Sequence, residues 1–175
     1  MLRRVTEVRH RRAGPDDAAT MAAVQYEGFE GYRAIAPPGW EPLRPQDDLD
    51  GLRSALASPD TFCLFAETAD GASAGHVAFT PVAASRRPEP DPLLAHLWQL
   101  FVRPPFWGTG VALGLHDAAV AEATARGYAR MRLNTPLDQT RARRFYEREG
   151  WELAGEIADH GFGLRMVEYR RVLGS

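Results

Sequence analysis

The chain contains 175 residues, of which 45% are hydrophobic and 25% are charged, and its formal net charge is −2. This length suits one domain with its own hydrophobic core, so we expect a single domain over residues 1–175. Because 21 arginines are balanced by 23 acidic residues, the overall charge does not favour binding to nucleic acid or to an anionic membrane surface. An uncharged apolar run of about 18 residues is missing, so we predict no membrane-spanning segment.

The single cysteine, Cys63, lies within the apolar run 62–65. One cysteine cannot form a disulfide within the chain, and the first residues lack the apolar stretch of a signal peptide. We therefore expect Cys63 to be a small buried hydrophobic residue and the protein to reside in a reducing cytoplasm. The absence of lysine is typical of GC-rich codon usage and suggests a bacterial source.

Hydrophobic periodicity and the positions of glycine and proline predict alternating strands and helices. The order predicts an α/β fold with one mixed sheet and helices on both faces. In chain order, the predicted elements are a strand at 5–12, helices at 17–32 and 46–57, strands at 62–67, 74–80 and 94–102, a helix at 110–126, a strand at 130–134, a helix at 139–149, and strands at 151–157 and 164–173.

The segment 94–102 is apolar on both faces, which is typical of a central strand covered on both sides. Strict alternation places Trp98 and Leu100 on one face and Leu97 and Phe101 on the other. Downstream, the prolyl segment 135–137 is interpreted as a break that ends the strand at residue 134.

The segment 102–112 has the composition of an anion-binding loop between a strand and a helix. Two prolines end the strand, and Gly108 and Gly110 then precede the helix. The start of a helix presents unpaired N–H groups, and glycines let an anion approach them closely. The segment therefore predicts a phosphate site, although two glycines alone are also compatible with a structural turn.

Two other phosphate-binding patterns are excluded for this loop. The pattern Gly-x-x-x-x-Gly-Lys-[Ser/Thr] does not occur, and the chain has no lysine to supply it. A dinucleotide fingerprint requires a third glycine, but Leu113 stands at that position.

Val102, Pro104 and the run 107–112 resemble motif A of the GNAT superfamily of N-acetyltransferases, [Arg/Gln]-x-x-Gly-x-[Gly/Ala]. The resemblance implies a single GNAT-like domain with a mixed, mostly antiparallel sheet, and acetyl-CoA as the co-substrate. Trp107 stands where the family has Arg or Gln, so the contact must come from backbone N–H groups. The resemblance assigns the pyrophosphate to Gly108, Thr109, Gly110, Val111 and Ala112, and Trp107 is a further cofactor-binding candidate.

About 30 residues later, the segment 139–151 resembles motif B of the same superfamily, Asn-x-x-Ala-x-x-Phe-Tyr-x-x-x-Gly-[Phe/Trp]. Gln139 stands where Asn is usual and keeps the amide on a longer side chain. Tyr146 matches the tyrosine that protonates the departing thiolate, whereas its alternative role is packing beside Phe145. The matching residues are Ala142, Phe145, Tyr146, Gly150 and Trp151.

The resemblance also implies contacts from the strand that precedes motif A and from the helix of motif B. An oxyanion contact and pairing with the pantetheine arm would come from the backbone of Leu100, Phe101 and Val102. Gln139 and Arg143 are further cofactor-binding candidates. The arginines at 141, 143 and 144 either form a solvated face or meet CoA phosphates, and the sequence leaves this open.

The loop between the first two helices is expected to wall the acceptor pocket, which makes Tyr32 and Trp40 candidates for acceptor contacts. His96 and His160 are further candidates. The general base is left open among several residues, and no metal site is predicted. The candidates for the base are His76, His96, Gln99, Glu156, His160 and Glu168.

The resemblance therefore implies transfer of an acetyl group to a primary amine of a small molecule or peptide, by direct attack in a ternary complex. The alternative is a non-catalytic acyl-CoA-binding regulatory module. The identity of the acceptor is left open, and a homodimer is left open as well.

Overall fold

The computed structural model describes residues 7–158 and 161–174, which fold around a seven-stranded sheet. The strand order is β1-β2-β3-β4-β5-β7-β6, and all neighbours are antiparallel except the parallel pair β4–β5. The predicted mixed, mostly antiparallel sheet is confirmed. The strands are β1 (Arg9–Arg12), β2 (Phe62–Glu67), β3 (Ser73–Pro81), β4 (Leu94–Val102), β5 (Arg130–Pro136), β6 (Glu152–Ile157) and β7 (Met166–Val172).

Helices cover both faces of the sheet, as predicted. Met21 and Leu56 of the first two helices form one core cluster with alternate residues of β2 and β3. Leu115 and Tyr146 of the other two helices pack into a second cluster on the opposite face. No helix in the described part of the chain is long and apolar enough to cross a membrane. The helices are α1 (Ala18–Glu30), α2 (Leu49–Ala57), α3 (Val111–Ala125) and α4 (Thr140–Arg148).

A bulge in β4 reverses the faces that strict alternation predicts for this strand. Successive residues of β3 face Leu97 and Gln99, so Trp98 has no partner in the register. An extra residue shifts the alternation by one position. Leu97 and Leu100 therefore both pack on the α3 side, and the predicted placement on opposite faces is wrong.

β5 continues to Pro136, two residues beyond the predicted end, because a proline without an N–H is tolerated at the last position of a strand. The parallel strands β4 and β5 pair only over residues 94–97 and 130–133. The bulge at Trp98 follows the last of these pairs, and a bulge bends the strand that carries it. The two strands diverge beyond this point and leave a cleft between them.

The remaining differences lie at element ends. The first helix is followed by a 3-10 turn at Gly31–Ala34, and the second helix is preceded by one at Pro45–Asp48. The strand β1 begins at Arg9 rather than at residue 5. Residues 5 and 6 of that predicted strand lie outside the described residues.

The proline-rich connection between β3 and β4 is fastened to the sheet by a buried arginine. Arg132 of β5 is only 1% exposed, and its guanidinium donates hydrogen bonds to the Glu89 carboxylate and to Ser85 Oγ. Glu89 also accepts a hydrogen bond from Arg170 of β7 at 2.7 Å. A long loop is thereby held against the face of β5 and β7.

Candidate active site

A cavity of about 460 Å³ lies where β4 and β5 diverge. Its walls come from α1, from β4, from the loop between β4 and α3, and from α4. The segments that resemble motifs A and B, which are distant in sequence, therefore border the same space. Clefts of this size are typical of small-molecule sites.

The loop before α3 leaves the start of this helix free to meet an anion. Gly108 and Gly110 have positive φ angles of 74° and 92°, a conformation that glycine adopts at no steric cost. No side chain caps the helix, so its first N–H groups have no side-chain acceptor. Gly108, Gly110 and Ala112 line the cavity, and this arrangement suits a pyrophosphate.

The other two residues of the predicted loop are placed differently. Thr109 and Val111 border a separate surface groove next to His10 rather than the main cavity. The Thr109 hydroxyl donates to the carbonyl oxygen of Phe106 at 2.6 Å, which stabilises the turn before the helix.

The edge of β4 that faces the cleft offers backbone groups of alternate residues. Arg103 N donates to Ala74 O of the β3 side at 2.9 Å. Because the N–H and C=O groups of one residue point to the same side and alternate along a strand, those of Phe101 point toward β3. The groups of Leu100 and Val102 point toward the cleft. The Val102 carbonyl oxygen accepts a hydrogen bond from the Trp107 indole, so both groups of Leu100 and the N–H of Val102 are the ones available to a pantetheine arm.

Trp107 lies at the mouth of the cavity with 49% of the residue exposed. Its indole Nε1 donates to the carbonyl oxygen of Val102 at 2.6 Å. Arg141 of α4 lies over the indole, with Cζ 3.3 Å from the ring centroid, and also lines the cavity. The two motifs therefore meet through a cation–π contact.

Arg143 and Arg144 of α4 are placed outside the residues that line the cavity. Arg143 donates to the Tyr169 hydroxyl at 2.9 Å and to the Leu137 carbonyl oxygen at 3.1 Å, and Arg144 is exposed. The sequence did not show which of the three arginines meets CoA phosphates. Arg141 is the one of the three that lines the cavity, and Gln139 lines it as well. Helix periodicity alone does not indicate which of the three turns toward the cleft.

Tyr146 lines the cavity from α4 and is 7% exposed. The rings of Phe145 and Trp151 lie 5.4 Å and 5.9 Å from its own ring. Burial, and secondarily the nearby Tyr32, raises the pKa of Tyr146 well above its usual value. Its hydroxyl therefore stays protonated at neutral pH and can donate a proton.

On the α1 side, an aromatic cluster closes the cavity. Tyr32 lines the cavity, and burial raises its pKa to about 12. Phe162, in the loop between β6 and β7, packs against Phe29 and Tyr32 at ring distances of 5.0 Å and 6.1 Å. Trp40 lies outside the cavity-lining residues, but its Nε1 donates to Phe162 O at 2.9 Å and so holds this loop in place.

The acidic candidates for a general base are all engaged in ion pairs. Glu156 pairs with Arg165 at 2.7 Å, and Glu168 pairs with Arg170 at 2.7 Å. The carboxylate that borders the cavity is Glu27, which sequence reasoning missed because its bidentate partner, Arg103, is distant in the chain.

His76 and His96, the two histidine candidates within the described residues, are placed away from the cavity lining. His96 Nδ1 accepts a hydrogen bond from Arg132 at 3.4 Å. His76 is fully buried, and its Nε2 hydrogen bonds with Oε1 of Gln99. Gln99 itself lines the cavity. His160 lies outside the described residues.

His116, Asp117 and Glu149 form the one cluster within the described residues that has the composition of a metal site. Both nitrogens of His116 are engaged, since Trp151 Nε1 donates to Nε2 at 3.0 Å and Nδ1 lies 2.8 Å from Asp117. The ring therefore has no free lone pair for a metal ion.

The diverging strands, the uncapped helix start and the buried tyrosine border one cavity, and the fold around them is that of an N-acetyltransferase. The sequence model of the acetyltransferase (GNAT) family matches residues 26–151. The chain belongs to this family. No curated protein matches the sequence.

Solved structures share the fold at low sequence identity. PaiA N-acetyltransferase from Thermoplasma acidophilum, in complex with coenzyme A, is 16% identical with a TM-score of 0.72, over 95% of this chain and 99% of that one. The acetyltransferase yncA from Salmonella typhimurium, with its cofactor acetyl-CoA, is 15% identical with a TM-score of 0.71, over 97% and 95%. A GCN5-related N-acetyltransferase from Kribbella flavida is 19% identical with a TM-score of 0.69, over 95% and 98%.

Proposed function

We propose that the chain transfers the acetyl group of acetyl-CoA to a primary amine of a small molecule or peptide, by direct attack in a ternary complex. Acetyl transfer from acetyl-CoA follows from the family, whereas the acceptor, the order of events and the role of each residue are the proposal. The observation that carries it is one cavity bordered by both the uncapped start of α3 and the buried hydroxyl-bearing Tyr146.

The lining residues fit acetyl-CoA at three places. The N–H groups at the start of α3, with Gly108 and Gly110 before them, receive the pyrophosphate without obstruction from a Cβ. The N–H and C=O groups of Leu100 and the N–H of Val102, on the open edge of β4, receive the pantetheine arm, as an added strand would. Gln139 lines the same wall and supplies an amide.

Arg141 supplies a positive charge beside the loop, whose own arginine, Arg103, is paired with Glu27. Trp107 occupies the position where the family has Arg or Gln, and its indole ring stacks against the Arg141 guanidinium. Two other arginines line the cavity, and both are paired with carboxylates, Arg103 with Glu27 and Arg148 with Glu149. Arg141 has no carboxylate partner among the described residues, so its guanidinium is available to a phosphate.

Acetyl-CoA supplies the activated acyl group as a thioester. A backbone N–H on the open edge of β4, from Leu100 or Val102, stabilises the negative charge that develops on the acyl oxygen. As the C–N bond forms and the C–S bond breaks, Tyr146 gives its hydroxyl proton to the sulfur. The attacking neutral amine loses one proton to water, and water returns a proton to the Tyr146 oxygen, so that the products are the neutral amide and the CoA thiol.

The proton of the amine leaves through water rather than to a dedicated carboxylate. Glu27 is the carboxylate among the described lining residues, and Arg103 holds it in a bidentate pair with both contacts at 2.9 Å. Both oxygens of this carboxylate are therefore already occupied by a guanidinium.

A covalent acyl-enzyme is disfavoured by the position of the thiol. Cys63 is 2% exposed in the core cluster between α1, α2 and the sheet, and burial raises its pKa to about 12. A buried neutral thiol is a poor nucleophile, which supports direct attack by the amine. A single cysteine cannot form a disulfide within the chain, and this supports placing the protein in a reducing compartment such as the cytoplasm.

The experiment that tests this function combines binding with turnover. Acetyl-CoA at millimolar concentration should raise the melting temperature, because a ligand of the native state stabilises it. A panel of amines should then release CoA thiol in the presence of enzyme. Stabilisation without thiol release from any amine would favour the non-catalytic module, and absence of both would contradict acyl-CoA binding.

A further inference from the structure

The bulge in β4 turns two consecutive side chains toward α1. Trp98 packs against the core cluster on the α1 and α2 side, and Gln99 hydrogen bonds with His76 on the same side. In a regular strand these two neighbours would point to opposite faces. The bulge therefore brings two N–H-bearing side chains, both of residues that line the cavity, to the same side of β4.

Both of these N–H groups are buried without an acceptor in the described part of the chain. Trp98 Nε1 and Gln99 Nε2 have no hydrogen-bond partner there, and Gln99 is 1% exposed. Native proteins satisfy nearly all of their buried donors, so a pair of adjacent unsatisfied donors requires an explanation. Both residues line the cavity, which indicates that the missing acceptor is a bound molecule.

His76 fixes the orientation of the Gln99 amide. The His76 ring is fully buried between the rings of Phe65 and Phe101, at centroid distances of 5.6 Å and 6.0 Å. His76 Nδ1 is buried without a partner among the described residues, so a proton on Nδ1 would be a buried, unsatisfied donor. The favoured tautomer therefore carries its proton on Nε2 and donates it to Oε1 of Gln99, which leaves the NH₂ group of the amide as the free end.

The charge of this wall selects the kind of oxygen that it can bind. Glu27 and Arg103 border the cavity here but neutralise each other, and Tyr32 stays neutral. Two neutral N–H donors match the two lone pairs of one carbonyl oxygen. A bound carboxylate is usually paired with a cation. Among the described arginines that line the cavity, Arg141 is the one without a carboxylate partner, and it lies over Trp107 instead.

We propose that Trp98 and Gln99 bind a carbonyl oxygen of the acceptor, so that the preferred acceptors are amines with an amide carbonyl beside the amino group, such as amino acid amides and peptide N-termini. This inference rests on the proposed function and narrows its substrate class. His76 is a positioning residue for the Gln99 amide.

The test compares four amines that share one side chain and differ in the group beside the amine. L-phenylalaninamide, L-phenylalanine, L-phenylalaninol and 2-phenylethylamine carry an amide, a carboxylate, a hydroxyl and no such group. The quantity measured is kcat/KM for each, by CoA thiol release. We expect the amide to be preferred over the other three.

The variants Gln99→Leu and Trp98→Phe each remove one donor and keep most of the side-chain volume. Each should lower the ratio of kcat/KM for phenylalaninamide to that for phenylethylamine by about 10-fold, the typical effect of one lost hydrogen bond. Because the ratio for each variant is compared with the ratio for the wild type, the different intrinsic reactivities of the two amines cancel. Gln46→Leu is the matched control, because Gln46 carries a buried amide outside the cavity lining, and it should keep the wild-type ratio.

Three outcomes overturn the inference. The first is no preference for the amide in the wild-type enzyme, and the second is an unchanged ratio in both variants. The third is turnover of phenylalanine above phenylalaninamide, which would place a carboxylate in the site. Stabilisation by acetyl-CoA and thiol release with the other amines are measured in parallel, so failure of the proposed function is seen separately from failure of this inference.

Discussion

The Arg141 guanidinium lies over the Trp107 indole, with Cζ 3.3 Å from the ring centroid, and joins α4 to the loop that precedes α3. A tryptophan at position 107 would impair binding if the side chain at this position had to supply the positive charge. The stacked arrangement explains how the chain keeps a positive charge at the mouth of the cavity while placing a tryptophan in the loop.

Replacing Arg141 with alanine should weaken binding of acetyl-CoA by about 10-fold, because a charged hydrogen bond to phosphate is lost. Acetyl-pantetheine lacks the phosphates, so its affinity should change little. Dissociation constants from calorimetry measure both. Arg144→Ala on the exposed face of α4 is the control and should bind acetyl-CoA as the wild type does. An equal loss for acetyl-pantetheine would contradict a phosphate contact.

Tyr146→Phe should lower kcat by about 100-fold, since a positioned general acid typically contributes this much or more. Burial holds the pKa of Tyr146 above its usual value, so the hydroxyl is protonated throughout pH 6–9. The wild-type rate should therefore not fall between pH 7 and pH 9 through ionisation of this group. Thiol-release rates across that range measure both effects, and equal rates for the variant and the wild type would remove Tyr146 from the mechanism.

The protein should lose stability as the pH falls from 6.5 toward 4. Burial lowers the pKa of His76 from 6.5 to about 4, and burial also lowers the pKa of His116. In this range the unfolded chain binds protons that the folded chain excludes, so protonation favours unfolding. His76 alone should reduce the free energy of unfolding by about 2 kcal/mol between pH 7 and pH 5.

Urea unfolding at pH 7 and pH 5 measures this loss. His76→Phe, which cannot bind a proton, should show a smaller difference between the two pH values than the wild type. A stability that is equal at both pH values would mean that the folded protein protonates these histidines as readily as the unfolded chain.

Trp40→Phe should raise the KM for the acceptor several-fold and leave the affinity for acetyl-CoA within about twofold. The variant keeps an aromatic ring but loses the 2.9 Å hydrogen bond from Nε1 to Phe162 O. Phe162 would then pack less firmly on Tyr32, which lines the acceptor side of the cavity. Two-substrate kinetics measure the KM for the acceptor and the affinity for acetyl-CoA separately. A weakened affinity for acetyl-CoA with an unchanged KM for the acceptor would contradict the prediction, because it would place the effect of Trp40 on cofactor binding.

The order of the elements followed from the sequence because each strand and helix carries its own hydrophobic period. The bulge at Trp98 could not be predicted from the sequence. A strand that is covered on both sides is apolar at nearly every position, so its sequence has no polar–apolar alternation in which an inserted residue would be visible. The extension of β5 to Pro136 was missed for a related reason. A proline marks a strand end, but its last tolerated position depends on which neighbour pairs with it.

For the site, the two motif segments predicted the glycine loop and Tyr146, because those contacts depend on local backbone and on residue type. Arg141 could not be distinguished from Arg143 in the sequence. Their roles differ only because Tyr169, on a distant strand, accepts a hydrogen bond from Arg143 while Trp107 stacks under Arg141. The unsatisfied donors of Trp98 and Gln99 likewise follow from the bulge and have no sequence signal of their own.

Initial-rate kinetics with acetyl-CoA and amine varied together test the central claim, direct transfer in a ternary complex, most directly. The cavity brings the pyrophosphate loop and Tyr146 together, and Cys63, the sole cysteine, is buried outside the cavity lining, so the double-reciprocal plots should intersect. Parallel lines together with an acetylated protein would contradict direct attack and show a covalent intermediate instead.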